Sequence, residues 1–207
     1  MQRPDEKKRR LIVATAAKMF ATRPFHKVRL DDIAAAARIG KGTLYVYFDN
    51  KEDLYFSLIQ DGFERLVEGL RPHLGGGDGA VRVTAAAGPL LAPSEALRRA
   101  VDELVAFAFA HPHFFELMRT AGETKRMTGG AWGRLRQEFL AMVAGTIRRG
   151  VADGSLADPH PDLTATCVGG MVRSIMLFGP KGLDPDAVAG HVYDLLIRGI
   201  GTRKRRP

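Results

Sequence analysis

LDDIAAAARIGKGTLYVYF, residues 30–48, is the stretch that decides the fold. Asp31 and Asp32 precede a run of alanines, so their carboxylates meet the positive end of a short helix. Arg38 to Gly40 reads as a brief turn and Lys41 to Tyr47 as the next short helix. Leu44 and Phe48 lie four residues apart, on one helical face, and are expected to pack inward against Ile33, Ala37 and Phe20. That leaves Lys41, Thr43, Tyr45, Val46 and Tyr47 facing outward. A core has no use for this mixture, so the segment is expected to face a partner.

The flanking sequence extends the pattern. Ile12, Ala16, Met19 and Phe20 recur at helical spacing over about residues 7–22, and the helix stops at TRPF, where proline forbids continuation. Downstream, Leu54, Leu58, Phe63, Leu66 and Leu70 mark a long fourth helix ending near Arg71. Three short helices followed by a long one, the second and third joined by a tight turn, is the helix-turn-helix arrangement.

Charge supports the same reading. Residues 1–51 carry 12 Lys/Arg against 5 Asp/Glu, a net of +7 of the chain's +8, while residues 52–202 are net −3. A basic module on a slightly acidic body suggests that the small part meets a polyanion. The single cysteine, Cys167, excludes an internal disulfide framework and fits a reducing compartment. MQRPDEKKRR has no apolar stretch of the kind a signal peptide needs, and the longest apolar run, 165–178, is interrupted by Arg173 and is too short to span a bilayer. A cytoplasmic protein without membrane contact is expected.

Each outward residue has a use in a DNA groove. Gly40 and Gly42 let backbone N–H groups approach a phosphate. Lys41 and Lys51 can neutralise phosphates, and the Tyr45 and Tyr47 hydroxyls can donate to phosphate oxygens. Thr43 can bond to a base edge or phosphate, and Val46 offers an apolar contact to a thymine methyl. The glycines of GKGT do not make a phosphate loop of the nucleotide-binding kind, because Gly42 stands where its hydroxyl residue belongs.

The run IVATAAKMFATRPFHKVRLDDIAAAARIGKGTLYVYFDNKEDL, with LDDIA, KGTLYVYF and NKEDL in register, resembles the DNA-binding domain of the TetR family of one-component transcriptional regulators. The resemblance covers about residues 10–56. It implies a homodimer, an inverted-repeat operator on double-stranded DNA, repression, and release when a small molecule enters the helical carboxyl-terminal domain. It also implies DNA contacts from Arg29, Lys41, Gly42, Thr43, Tyr45, Tyr47 and Lys51. Four positions depart from the family pattern. Pro24 and Arg38 replace glycines, with Arg38 costing about 1–2 kcal/mol if left-handed. Arg29 and Gly40 replace helix caps, at about 1 kcal/mol and a few tenths respectively.

The rest of the chain reads as helical, giving an all-α fold of about nine helices. The expected organisation is a DNA-binding domain over 1–52, a ligand-sensing and dimerisation domain over 53–201 with a flexible linker at 75–93, and a basic tail at 202–207. Ser94 is expected to cap EALRRAVDELVAFAFA, and HFFELMRTAG to form a short helix. Phe107, Phe114, Phe115, Met118, Trp132, Phe139, Met142, Met171 and Phe178 could line an apolar pocket for a largely apolar effector; such stripes equally suit plain core. Arg173, about 200° around its helix from Met171, is expected to face solvent or a partner subunit. By family analogy the last two helices, 162–178 and 185–200, form the dimer interface, with Gly169, Gly170 and Ser174 permitting close approach and Val188, Val192, Leu195 and Leu196 supplying apolar area; both features also suit packing within the chain.

His111 and His113 lack a carboxylate or thiol at ligand spacing, so no metal is expected, and no other cofactor. No nucleophile, base and orienter constellation is present, so the chain is not expected to be an enzyme. The alternative to a sequence-specific regulator is a sequence-independent nucleic-acid-binding or architectural protein, which leaves the large body without a purpose.

Overall fold

The computed structural model describes residues 5–75, 90–115 and 130–201. Within these lie eight α-helices, one 3-10 helix and a further helical stretch at 112–115, and the β pairing among them is a single antiparallel bridge between Leu156 and Gly201. The chain divides into two compact units between Gly62 and Phe63.

The first unit begins with α1 (Glu6–Thr22), whose N-cap Asp5 accepts a hydrogen bond from the Lys7 backbone N–H. A 3-10 turn (Phe25–Lys27) follows, then α2 (Leu30–Ala36) and α3 (Lys41–Tyr47). Ile12, Ala16, Val28, Ile33, Leu44 and Phe48 are buried together with Leu54 and Tyr55 from the start of α4 (Lys51–Leu74). The Tyr55 ring meets Phe20 and Phe25 edge-on at 4.9 and 5.2 Å. These contacts carry the first turns of α4 into the first unit, so the division falls inside that helix, about ten residues beyond the 52/53 boundary read from sequence.

The turn between α2 and α3 is fixed by backbone chemistry. Arg38 N–H donates to Ala35 O and Ile39 N–H to Ala34 O, both at 3.0 Å, the paired bonds that close a helix through a left-handed residue. Arg38 occupies that position with φ of 55° and is the one non-glycine residue with positive φ among those described. Replacing it with glycine relieves about 1–2 kcal/mol of backbone strain against about 0.5–1 kcal/mol from glycine's extra freedom in the unfolded chain. Arg38→Gly is therefore expected to stabilise the protein by up to about 1.5 kcal/mol, read as a rise in the chemical-denaturation midpoint.

In the second unit, α5 (Pro93–Ala110) is the central element. It packs on α6 (Gly130–Ala152), α7 (Pro161–Phe178) and α8 (Pro185–Ile200), and α7 also packs on α6 and α8. Its buried residues, Leu97, Val101, Leu104, Val105 and Phe107 among them, cover several sides, as its sequence suggests. Two local expectations change. Ser94 does not cap α5: Ala92 is the cap residue, without a side-chain bond, because Pro93 takes the first helical position, where its missing N–H is harmless. And α4 does not stop at Arg71 but runs through Pro72 to Leu74, where Gly75, with φ of 84°, ends it. Buried Leu74 repays that extension. Leu91 N–H then bonds to His73 O, so the described ends of the 75–93 segment are joined; residues 76–89 lie outside the described residues, as does the 202–207 tail. Of HFFELMRTAG, residues through 115 are described and are helical.

Candidate nucleic-acid interface and effector cavity

Helix α3 has one buried edge and one presented face. Leu44 and Phe48 are 1% and 2% exposed, whereas Val46 is 67% and Tyr45 is 45% exposed. Lys41 and Gly42 are exposed, and Thr43 and Tyr47 are half-buried. The helix is held at both ends. Tyr47 Oη accepts the Asp5 backbone N–H at 2.9 Å, which ties the end of α3 to the start of α1 and leaves the hydroxyl proton to be donated elsewhere. Beyond Phe48, the Asn50 side chain accepts the Asp53 N–H at 2.8 Å while Asp53 reaches back to the Asp49 N–H at 3.2 Å, a reciprocal cap that starts α4.

The cations are arranged unevenly. Lys41 Nζ lies 2.9 Å from Asp31 Oδ2, and that hydrogen bond, reinforced by the carboxylate's charge, raises the ammonium pKa above its usual value. Arg29, exposed at the N-cap position of α2 and making no capping bond, opposes this shift, so Arg29, Asp31 and Lys41 form one electrostatic group. An exposed pair of this type contributes little to stability, so Lys41 exchanges Asp31 for a stronger anion readily. Lys51 is occupied differently. Its Nζ donates to Phe25 O at 2.9 Å and sits 4.3 Å from the Phe25 ring centroid, bracing the 3-10 turn. Sequence reasoning missed that bracing role, which the alternating charge of DNKED does not announce.

The second unit contains a cavity of about 350 Å³. Of the sequence-predicted lining, Phe107, Phe114, Phe115, Trp132 and Phe139 are brought together there. Phe63 joins them from α4, its ring 4.9 Å from Trp132 and 5.3 Å from Phe107. Met142 is wholly buried in packing away from the cavity lining, Phe178 is 77% exposed, Met171 does not reach the lining, and Met118 lies outside the described residues. Arg173 is exposed, as expected, and it also lines the cavity, with Arg136, Leu140 and Thr166. Its angular offset from Met171 is sound; the cavity lies on the other side of α7 from the one Met171 suggested. Beside the cavity wall, the His111 ring lies 4.8 Å from Phe107, and burial, helped by the Arg65 charge, pushes the imidazole pKa down.

The residues expected at a subunit interface separate into three groups. Val188, Val192 and Leu196 are buried within the chain, on the α8 face that packs against α5, so they supply no exposed apolar area. Gly169 and Gly170 line the cavity. Leu195 and Ser174 are exposed, and the large apolar residues exposed nearby in sequence are Leu163 and Phe178 on α7.

A helix-turn-helix module with an outward, cationic and hydroxyl-bearing third helix, joined to a helical body with an aromatic-walled cavity open on one side, defines a ligand-responsive DNA-binding transcriptional regulator. Residues 12–58 match the profile described as bacterial regulatory proteins, tetR family, and residues 91–200 that of the tetracyclin repressor-like C-terminal domain. The chain belongs to the TetR family. It is 28% identical to the HTH-type transcriptional regulator EthR of Mycolicibacterium smegmatis over 198 residues, covering 91% of this chain and 84% of that one. Among solved structures, a TetR/AcrR-family regulator from Thermobifida fusca superposes with a TM-score of 0.71 at 23% identity, covering 97% of this chain and 100% of that one. FadR of Bacillus subtilis in complex with stearoyl-CoA gives 0.66 at 17%, covering 92% and 98%. Among the described residues no helix is long and apolar enough to cross a membrane.

Proposed function

We propose that the protein is a cytoplasmic homodimeric repressor that sits on an inverted-repeat operator and is released when a small molecule enters the aromatic cavity. The observation that carries this reading is the two-sidedness of α3, with Leu44 and Phe48 closed into the unit's core and Lys41, Tyr45 and Val46 turned out. Lys41, Lys51, Arg29, the Tyr45 and Tyr47 hydroxyls and the backbone at Gly42 contact phosphates. Thr43 and Val46 read bases. The exposed Leu163, Phe178 and Leu195 on α7 and α8 support a subunit interface on that face. Dimer symmetry then sets the two α3 helices about 34–36 Å apart, or a multiple of that. The match to a repressor-like carboxyl-terminal domain supports repression, and a fold-related regulator that holds stearoyl-CoA supports a small-molecule effector.

Selection of binding sequences from a randomised duplex library with purified protein tests this reading. An inverted repeat is expected; recovery of no preferred sequence would favour the sequence-independent architectural alternative. In the same library Thr43→Ala and Val46→Ala are expected to relax preference at one or two positions per half-site, by about 1–3 kcal/mol of lost discrimination at each base contacted. Profiles indistinguishable from the parent would remove both residues from base readout.

A further inference from the structure

We infer that the cavity selects a small amphiphilic carboxylate, its apolar body among the aromatic rings and its carboxylate on the Arg136 side. This inference rests on the reading that the cavity receives the effector, and it names that effector's chemical class.

Three observations carry it. The first is the asymmetry of the walls. Phe63 sits amid rings of Phe107, Trp132 and Phe139 at 4.9 to 5.8 Å, an apolar surface with no polar tip apart from the indole. The charged and hydroxyl groups come from elsewhere: Arg136 on α6, and Thr166 and Arg173 on α7. The second is the spacing on α7. Thr166, Gly169, Gly170 and Arg173 follow i, i+3, i+4, i+7, so one helical face supplies a hydroxyl and a guanidinium roughly 10 Å apart, at 1.5 Å rise per residue. Between them the two glycines leave a bare floor, for a Cβ added at either meets nothing within 4 Å. A ligand lying along this face has an open bed and a cationic end.

The third observation is the sign of the charge. The described lining holds two arginines, both exposed at the cavity's solvent side, and no carboxylate. Aromatic faces of this kind also attract cations, but a cation here meets two like charges. A carboxylate meets guanidinium forks whose planar donors match its two oxygens. Arg173 already engages another group of the chain, so Arg136 is the principal anchor and Arg173 adds its field. The cavity's 350 Å³ equals about a dozen liquid-water volumes of ~30 Å³. A cavity of this volume lies toward the lower end of the range for small-molecule sites, and decanoate serves as the probe.

Trp132 is the one tryptophan in the chain and lines the cavity, so its fluorescence reports occupancy. The full-length protein is titrated with decanoate, decanol and decylammonium, with calorimetry in parallel. Decanoate is expected to bind at least about tenfold more tightly than either of the others. Arg136→Gln is expected to weaken decanoate about tenfold, in line with loss of one charge-assisted hydrogen bond, while leaving decanol unchanged. Gly170→Leu fills the floor without a backbone clash and is expected to abolish decanoate binding. Decanol or decylammonium binding as tightly as decanoate, no binding of decanoate, or an Arg136→Gln variant with unchanged decanoate affinity would each overturn the inference. The outcomes separate the two readings. Tight decanol binding that releases operator DNA removes the anionic class and keeps the effector cavity, whereas any probe that occupies the cavity without changing operator affinity counts against the effector reading itself.

Discussion

Phe48→Ala is expected to destabilise the amino-terminal unit by about 3–5 kcal/mol, the range for deleting a fully buried phenyl ring, and to abolish operator binding. Phe48 is 2% exposed, follows directly on α3 as its C-cap residue, and has the Arg9 guanidinium 5.8 Å from its ring centroid. Its loss frees the end of α3 opposite the turn. The unit spans only residues 1–62, so a loss of this size is a large part of the stability available to a domain of its length. Circular dichroism during urea denaturation should show an early helical transition in the variant, while Trp132 fluorescence, which reports the other unit, shifts much less. Val46→Ala is the matched control. At 67% exposure it should leave stability within about 0.5 kcal/mol. If Phe48→Ala leaves both the transition and DNA binding intact, α3 is not held from behind as described.

Lys41→Glu is the second large effect. The parent lysine pairs with Asp31 at 2.9 Å on an exposed surface; the variant sets two carboxylates side by side and faces a phosphate with the wrong sign. At about tenfold per lost charge-assisted contact, and with two half-sites engaged, operator affinity should fall about a hundredfold. The slope of log affinity against log salt should lessen by about one unit per protomer, as one phosphate contact is removed. Lys41→Ala should reproduce the slope change with a smaller loss, and Lys41→Arg should keep most of the binding. Lys51→Ala should also lower the slope by about one unit per protomer if Lys51 leaves Phe25 O for a phosphate. A slope unchanged in Lys41→Glu from low to moderate salt would detach Lys41 from the DNA backbone.

The amino-terminal unit was the more legible part of the sequence because its signals are local. The bounds of α3, Lys41–Tyr47, follow from a glycine before it and an inward-facing aromatic after it, and the resemblance, which has a glycine at position 38, pointed to the left-handed backbone that Arg38 adopts. Where a cue could be met in two ways, the reading failed. Ser94 has the chemistry of a cap, but Pro93 before it is better suited to start a helix. Pro72 has the chemistry of a stop, yet within a last turn it forfeits one bond and Leu74 gains a buried site.

The carboxyl-terminal unit was harder because an apolar residue reads alike whether it faces its own core, a cavity or another subunit. Val188, Val192 and Leu196 suit an interface or intrachain packing by sequence and are buried within the chain, and Phe178, which suits a pocket by sequence, is exposed on the chain's surface. Arg173 is exposed, as its angle from Met171 implies, yet it also lines the cavity, because Met171 does not mark the cavity side of α7. Gly169 and Gly170 carried a real signal of missing side chains; what was missing was the space they open, a tertiary property.

Helix α3 is expected to enter the major groove, and methylation interference on the selected operator shows whether it does. Dimethyl sulfate marks guanine N7 in the major groove and adenine N3 in the minor groove, two edges that distinguish the grooves chemically. Interference is expected at guanine N7 in both half-sites, with centres about one helical turn or a multiple apart, and its loss in Thr43→Ala at any guanine whose preference that variant changes. Interference confined to adenine N3, or absent from both half-sites while binding persists, would contradict it.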